Sequence, residues 1–255
     1  MSDYPKATTL EALRANVQII EKRIEKAALQ AGRDPKTIRL LPVSKTVDAS
    51  ILRLMMELGY QHFGENKVQE ALQKQEALQD TAARFSIIGH LQSNKVKYVA
   101  RFADEFQALD SLEIASLLNR KLEEYNRTMK VLVQINTSNE PSKFGLKPEE
   151  AKRFVEQLAP FKQLKVEGLM TLALFSAEAD KVRQCFVTLR NLRDQLQSAL
   201  PDGMSMHELS MGMSGDFETA ILEGATIVRV GQAIFGARQY PDSYYWNENP
   251  TAQES

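Results

Sequence analysis

Eight short apolar runs, each after the first preceded by a helical stretch, constrain this chain more than any other feature. They are Ile38 to Ser44, Tyr60 to Gly64, Phe85 to Gly89, Glu105 to Leu109, Lys130 to Asn136, Lys165 to Thr171, Met204 to Leu209 and Ala225 to Val230. Runs this short and this rich in branched residues read as buried strands rather than helices. Strands that alternate with helices demand right-handed crossovers, and hence a parallel sheet. Eight such units in about 200 residues is the count of a closed TIM-type (β/α)8 barrel. An open doubly wound sheet would want a glycine-rich turn after its first strand, and Val43-Ser44-Lys45-Thr46-Val47 contains no glycine. The expected fold class is therefore α/β, a single (β/α)8 barrel.

One further helix precedes the barrel. Leu10, Leu13, Val17, Ile20 and Ile24 follow three-and-four spacing, with Thr8 and Glu11 as a capping box and Gly32 as a stop. No Pro/Gly/Ser-rich linker interrupts the chain, which predicts one domain over residues 1–255 with its core from about residue 10 to 238.

Hydrophobic residues at 43% and charged residues at 25% are enough for a sizeable core. With 32 basic and 33 acidic residues the net charge is −1, so no whole-chain field recruits nucleic acid or an anionic membrane. The single Cys185 cannot form an internal disulfide, and no run of about 20 apolar residues is present, which makes a cytoplasmic protein the simplest expectation. One Cys and three His exclude a Cys-rich zinc site, and no metal is expected. Without a strongly apolar surface stripe, a monomer is expected rather than an obligate dimer.

In a barrel the residues that act lie at the C-terminal ends of strands and in the loops beyond. Lys45 ends the first strand after an apolar run that buries its stem. Such a lysine can become a nucleophile that forms a Schiff base with an aldehyde, or it can simply open the helix starting at Thr46 or Asp48. Ser210-Met211-Gly212-Met213-Ser214-Gly215-Asp216 follows the seventh strand, where small residues at a helix start can present backbone N–H groups to an anion. The alternative there is an ordinary N-cap by Ser214 or Asp216. After the eighth strand Arg229 offers a charge-assisted contact to the same phosphate, and Gly231 a close backbone approach. Asn66 can lie against a bound ring, whereas Glu65 can merely complement the next helix dipole. His90 can be an acid/base or a rim residue, Asn136 to Asn139 with Lys143-Phe144-Gly145 reads as a polar loop, and His62 and His207 read as packing residues within strands.

These segments together resemble the pyridoxal phosphate homeostasis family, related in fold to the barrel domain of alanine racemases. The likeness spans Leu10 to Gly236 and rests on motifs in order: Val43-Ser44-Lys45-Thr46, Phe63-Gly64-Glu65-Asn66 with Gln69-Glu70, and Ile88-Gly89-x-Leu91-Gln92-x-Asn94-Lys95. It continues through Gln134-Ile135-Asn136 with Lys143-x-Gly145, Gly168-Leu169-Met170-Thr171, Leu209 to Asp216, and Val228-Arg229-Val230-Gly231 with Ile234-Phe235-Gly236. Many members carry Trp-His before the Ile-Gly of strand three, where this chain has Phe85-Ser86.

The resemblance implies pyridoxal 5′-phosphate (PLP) held as a Schiff base on Lys45, with Asn66 beside its ring. Ser210, Met211, Ser214 and Gly215 would hold the phosphate with neighbouring amides, and Arg229, Gly231 and Gln232 would close that site. It also implies a protein that keeps PLP and other B6 vitamers, and indirectly amino and keto acids, in balance without turning over a substrate, so no catalytic residue is assigned; transfer of PLP to apo-enzymes is a possible partner relation. An alanine-type racemase needs a second acid/base from a C-terminal β domain, for which the nineteen residues after Gly236 are too few; Tyr240, Tyr244 and Tyr245 read as packing or interface residues. Two alternatives stay open: a PLP-dependent amino-acid racemase working with one base, and a PLP-free phosphate-binding barrel such as a sugar-phosphate isomerase.

Overall fold

The computed structural model describes residues 4–138, 140, 143–174, 176 and 178–237. Eight parallel strands form the core: β1 (Arg39–Pro42), β2 (His62–Glu65), β3 (Arg84–Ile87), β4 (Glu105–Leu109), β5 (Met129–Gln134), β6 (Leu164–Met170), β7 (Glu208–Ser210) and β8 (Ile227–Val230). They run in the order β1-β8-β7-β6-β5-β4-β3-β2. A parallel bridge from Val43 to Gly64, with Ser44 N donating to Gly64 O at 3.0 Å, joins the two remaining edges into a nearly closed barrel. The eight predicted runs match these strands within a few residues, except that Met204 to His207 lies outside β7. There the chain turns at Met204, whose N–H donates to Pro201 O, and ladder pairing with β6 starts only at Gly168↔Glu208.

Helices α1 (Leu10–Gln30), α2 (Ala49–Glu57), α3 (Val68–Ala77), α4 (Val96–Phe102), α5 (Leu112–Glu124), α6 (Ala151–Gln157), α7 (Ala179–Gln197), α8 (Phe217–Leu222) and α9 (Gln232–Phe235) surround the barrel. The extra helix α1 is capped by Thr9, whose hydroxyl accepts from Ala12 N, one residue later than the expected Thr8. Its apolar stripe of Leu13, Val17, Ile20 and Ile24 is buried, and Gly32 beyond it takes the left-handed φ of +66° that a helix stop uses. Gly168 answers a different need: a Cβ there would stand 1.9 Å from Glu208 O, so only glycine lets β6 approach β7 this closely.

The barrel interior is not wholly apolar. Arg39 donates to both carboxylate oxygens of Glu105 at 2.8 and 3.0 Å, and Ser86 and Gln107 Nε2 donate to Glu105 Oε2. Burial pushes the Glu105 carboxyl upward, but Arg39 and these hydrogen bonds outweigh it and hold Glu105 below the ordinary range. His62 lies in the same cluster instead of packing on apolar neighbours as expected. Burial lowers its pKa to about 4, so the ring is neutral at pH 7. Because Ser86 spends its proton on Glu105, His62 Nε2 carries the ring proton and donates to Ser86 Oγ at 2.8 Å, while Nδ1 accepts from Arg39 at 3.2 Å. His207, also expected to pack, is exposed before β7 begins.

Candidate functional site

Lys45 follows β1 and is only 4% exposed, which removes the reading of a surface lysine opening a helix; α2 begins later, at Ala49, with Asp48 in the cap position. Lys45 lines a cavity of about 240 Å³ shared with Lys6, Thr8, Val47, Gly231 and Phe235. The wall formed by Lys6 to Thr8 is fixed by main chain, since Ala7 N donates to Phe235 O at 3.1 Å. Gly236 there has φ +103°, and a Cβ on it would stand 2.6 Å from Lys6 Cα.

Both neighbours of Lys45 are gripped by one buried charge cluster. Lys74, on the inward face of α3, donates to Ser44 O at 2.6 Å, to Glu65 Oε1 at 2.7 Å and to Glu70 Oε1 at 2.6 Å. Glu70 also accepts from Thr46 N, and Ser44 Oγ donates to Glu65 Oε1. Thr46 holds a left-handed φ of +65°, a costly state for a β-branched residue that these contacts over-determine. Glu65 is fully buried, and burial raises its pKa to about 7 against the opposing pull of Lys74. Its place at the end of β2, bonded to Ser44 and Lys74, replaces the expected role at a helix dipole.

Asn66, immediately after β2, is 5% exposed, and neither polar atom of its side-chain amide has a hydrogen-bond partner among the described residues. Buried amides are almost always paired, so this one is built to meet something else. Gly89 makes the close packing behind it possible, because a Cβ at Gly89 would lie 2.2 Å from Asn66 O.

The loops after β7 and β8 meet. Ser214 Oγ accepts from Ala233 N at 3.4 Å, tying the first loop to the start of α9, where Gly231 is the cap residue and Gln232 the first helical residue. Met211 is buried with its N–H on Ile227 O, and Gly215 is exposed at the rim with open space around its Cα. Asp216 occupies the cap position of α8, but its carboxylate reaches back to Met213 N at 2.6 Å and makes no side-chain cap to the helix. Gly212, at φ +93°, lets the loop press against α8, where a Cβ would meet Ala220 Cβ at 2.6 Å.

Arg229 and Ser210 sit deeper, inside the barrel. Arg229 Nη1 donates to Ser210 Oγ and Nη2 to Thr171 O, each at 2.7 Å. Burial lowers the Arg229 pKa to about 10 against the pull of Asp216, so the guanidinium stays charged at pH 7. Ser210 Oγ donates its hydrogen bond to Gln107 Oε1 at 2.6 Å. Thus Lys45 and Gly231 share a cavity and Ser214 is tied to Ala233 in the first turn of α9, while Ser210 faces Arg229 and the barrel interior.

His90 stacks on Phe144 with ring centroids 4.1 Å apart, and its Nδ1 is buried with no hydrogen-bond partner among the described residues. Asn136 organises the polar loop by donating to Glu140 O and Lys143 O. Cys185 is a buried thiol of α7, as expected. Asn139, Tyr240, Tyr244 and Tyr245 lie outside the described residues. Sequence reasoning missed Lys74, Glu105 and Gln107. The signals were there: Lys74 continues the buried stripe of Val68 and Ala71, and Glu105 and Gln107 alternate on one face of a strand.

Residues 8–239 match the family model of the alanine racemase N-terminal domain. A pyridoxal phosphate homeostasis protein of Aquifex aeolicus is 41% identical over 219 residues, covering 86% of this chain and 95% of its own. The crystal structure of an unknown protein from Bifidobacterium adolescentis superposes with a TM-score of 0.84 at 33% identity, covering 92% of this chain and all of its own. PipY of Synechococcus elongatus, in a structure with PLP bound, gives 0.75 at 34% identity over 84% of this chain and all of its own. The chain therefore belongs to the pyridoxal phosphate homeostasis family, built on the alanine racemase N-terminal barrel.

Proposed function

We propose that this barrel holds PLP in the Lys45 cavity and acts in PLP and vitamin B6 homeostasis in the cytoplasm, as a monomer that can yield its cofactor to apo-enzymes. The observation that carries this reading is a buried lysine on the wall of a cavity of about 240 Å³ that is also lined by Gly231, the glycine cap of α9. The unpartnered amide of Asn66 supports it, because a bound heteroaromatic ring would offer those atoms the partner they lack. The family's names, and PLP in the PipY structure, support it independently.

PLP supplies, when bound, an aldehyde open to attack by an amine. In our reading Lys45 Nζ is the covalent attachment point, and its backbone is held still by the Lys74 cluster on either side. Ser214, Gly215, Gly231 and Gln232 receive the phosphate, whereas Met211, expected among them, spends its N–H on Ile227 O and only packs behind the loop; Arg229 supplies a cation beneath them, with Ser210 supporting Arg229. The N-terminal wall of Lys6 to Thr8 restricts water on the open side.

Reconstitution with PLP, borohydride reduction and peptide mapping test the proposal. The expected result is a visible absorption band and one labelled peptide, carrying the cofactor's mass on Lys45, both lost in Lys45→Ala. Wild-type protein that takes up no PLP, or a label that persists unchanged in Lys45→Ala, would overturn it. Turnover across a panel of D- and L-amino acids, abolished by Lys45→Ala, would replace the homeostasis reading with a racemase.

A further inference from the structure

A single line of hydrogen bonds crosses the barrel interior beneath the proposed cofactor pocket. It starts at the Arg229 guanidinium, passes through the Ser210 hydroxyl to the Gln107 carbonyl, and continues from the Gln107 amide nitrogen to the Glu105 carboxylate. The four residues come from β8, β7 and β4, and all are at most 3% exposed. A cation stands at one end and a carboxylate at the other.

Those two charges fix the direction of every bond between them. Glu105, already receiving Arg39 and Ser86, can only accept, so the Gln107 amide must turn its nitrogen toward Glu105. Its carbonyl oxygen then faces Ser210 and takes the single hydroxyl proton. What Ser210 has left is lone pairs, and one of them receives Arg229 Nη1 at 2.7 Å. An amide flipped the other way would put its N–H₂ against Ser210 and its oxygen against the carboxylate, a repulsive contact in a low-dielectric interior. The line therefore has one stable polarity.

We propose that Gln107 and Glu105 are positioning residues that act on the cofactor pocket through Ser210, orienting the Arg229 guanidinium from below without themselves touching a ligand. Among the described residues the guanidinium makes one other hydrogen bond, the donation to Thr171 O, with Asp216 acting on it only as a nearby charge, so loss of the Ser210 acceptor leaves its plane hinged on a single carbonyl. Ser210 serves Arg229 in this scheme and spends no proton on the cofactor. The inference rests on the PLP-binding reading.

The test is a double-mutant cycle on PLP dissociation constants, with thermal midpoints measured alongside. Gln107→Leu, which keeps the volume and removes both hydrogen-bonding groups, is expected to weaken PLP binding about tenfold in the wild-type background, the usual loss for a charge-assisted hydrogen-bond partner. In an Arg229→Gln background the same change should weaken binding less than twofold, because the group it positions is gone. A merely structural role would give the same loss in both. Ser210→Ala is a milder change and keeps the test usable if Gln107→Leu does not fold. It should repeat the pattern, and in the cofactor-free protein it should shift the Arg229 Nε–H resonance. Equal losses in both backgrounds, or an unmoved Arg229 resonance, would overturn the proposal. Wild-type protein that binds no PLP would instead overturn the cofactor reading, and the resonance would still decide the positioning role.

Discussion

Replacing Lys74 by Met removes the ammonium that grips Ser44 O, Glu65 and Glu70 at once. At pH 6 Glu65 is mostly protonated, so the change strips donors from the acceptors of Ser44, Glu65 and Glu70; an unsatisfied buried group costs about 1–3 kcal/mol, and with the Met stem recovering part of the packing a total loss of about 3 kcal/mol is expected. The pH dependence is the sharper part. Glu65 is raised from 4.5 to about 7 in the folded protein, so its contribution is fully present below pH 4.5 and is lost as pH rises through 7. In the wild type that loss ends near pH 7, where Glu65 ionises beside Lys74. In Lys74→Met the group that pulls the Glu65 pKa down is gone, so the folded protein keeps the proton to higher pH and goes on losing stability. The gap between the two should stay level below pH 7 and then widen by about 1.4 kcal/mol per pH unit, adding about 2 kcal/mol by pH 8.5. Urea unfolding followed by far-UV circular dichroism at pH 6, 7 and 8.5 measures it, and Lys74→Met/Glu65→Gln should keep the baseline loss but show no widening. A gap below about 1 kcal/mol, or one equal at pH 6 and 8.5, would refute this account of the cluster.

His62, lowered from 6.5 to about 4 by burial, makes the folded state refuse a proton that the unfolded chain accepts, so stability falls as pH drops from 6.5 toward 4. His62→Gln should flatten that fall by up to about 3 kcal/mol, read as the difference between two denaturation-versus-pH curves. Gly168→Ala drives a methyl into Glu208 O and should cost at least about 3 kcal/mol, or prevent soluble expression; a thermal midpoint within 2–3 °C of wild type, about the shift of 1 kcal/mol, would contradict the close approach. Gly89→Ala pushes on the main chain of Asn66 and should weaken PLP retention on dialysis more than tenfold, with Lys45 still labelled at saturating cofactor.

Much of the barrel is legible in the sequence because periodicity is a local property: a run such as Val131-Leu132-Val133 can only be buried, and the helix between two such runs sets the parallel order. The end of β7 is legible for the same reason, but its start is not. Whether Met204 to His207 pairs depends on where β6 comes alongside, which no local pattern encodes. The proposed site follows the same division. Lys45, Gly231 and Ser214 stand out because they lie at strand ends, while the Lys74 grip on Ser44 and Thr46 joins residues about thirty apart and emerges only once α3 packs on the β1–β2 edge. His62 and Ser210 were readable as residue types but not as partners. The hydrogen bonds that fix their roles come from strands β3 and β4, whose registry is a property of closure.

The closure has a consequence of its own. β7 and β8 share a single ladder pair, Ser210↔Ile227, but main-chain bonds from Thr226 N to Leu209 O, Met211 N to Ile227 O and Arg229 N to Gly212 O flank it, whereas β1 and β2 meet through one bridge at Val43 and Gly64 with Ser44 N on Gly64 O, reinforced by the side chains of Ser44, Glu65 and Lys74. A staved vessel yields first at the joint held by clips instead of by continuous contact, and here that joint is where Lys45 stands. The cheapest local opening of this protein thus runs along its β1–β2 edge, so amide exchange at Val43 and Ser44 should report on the pocket before the rest of the barrel feels any change.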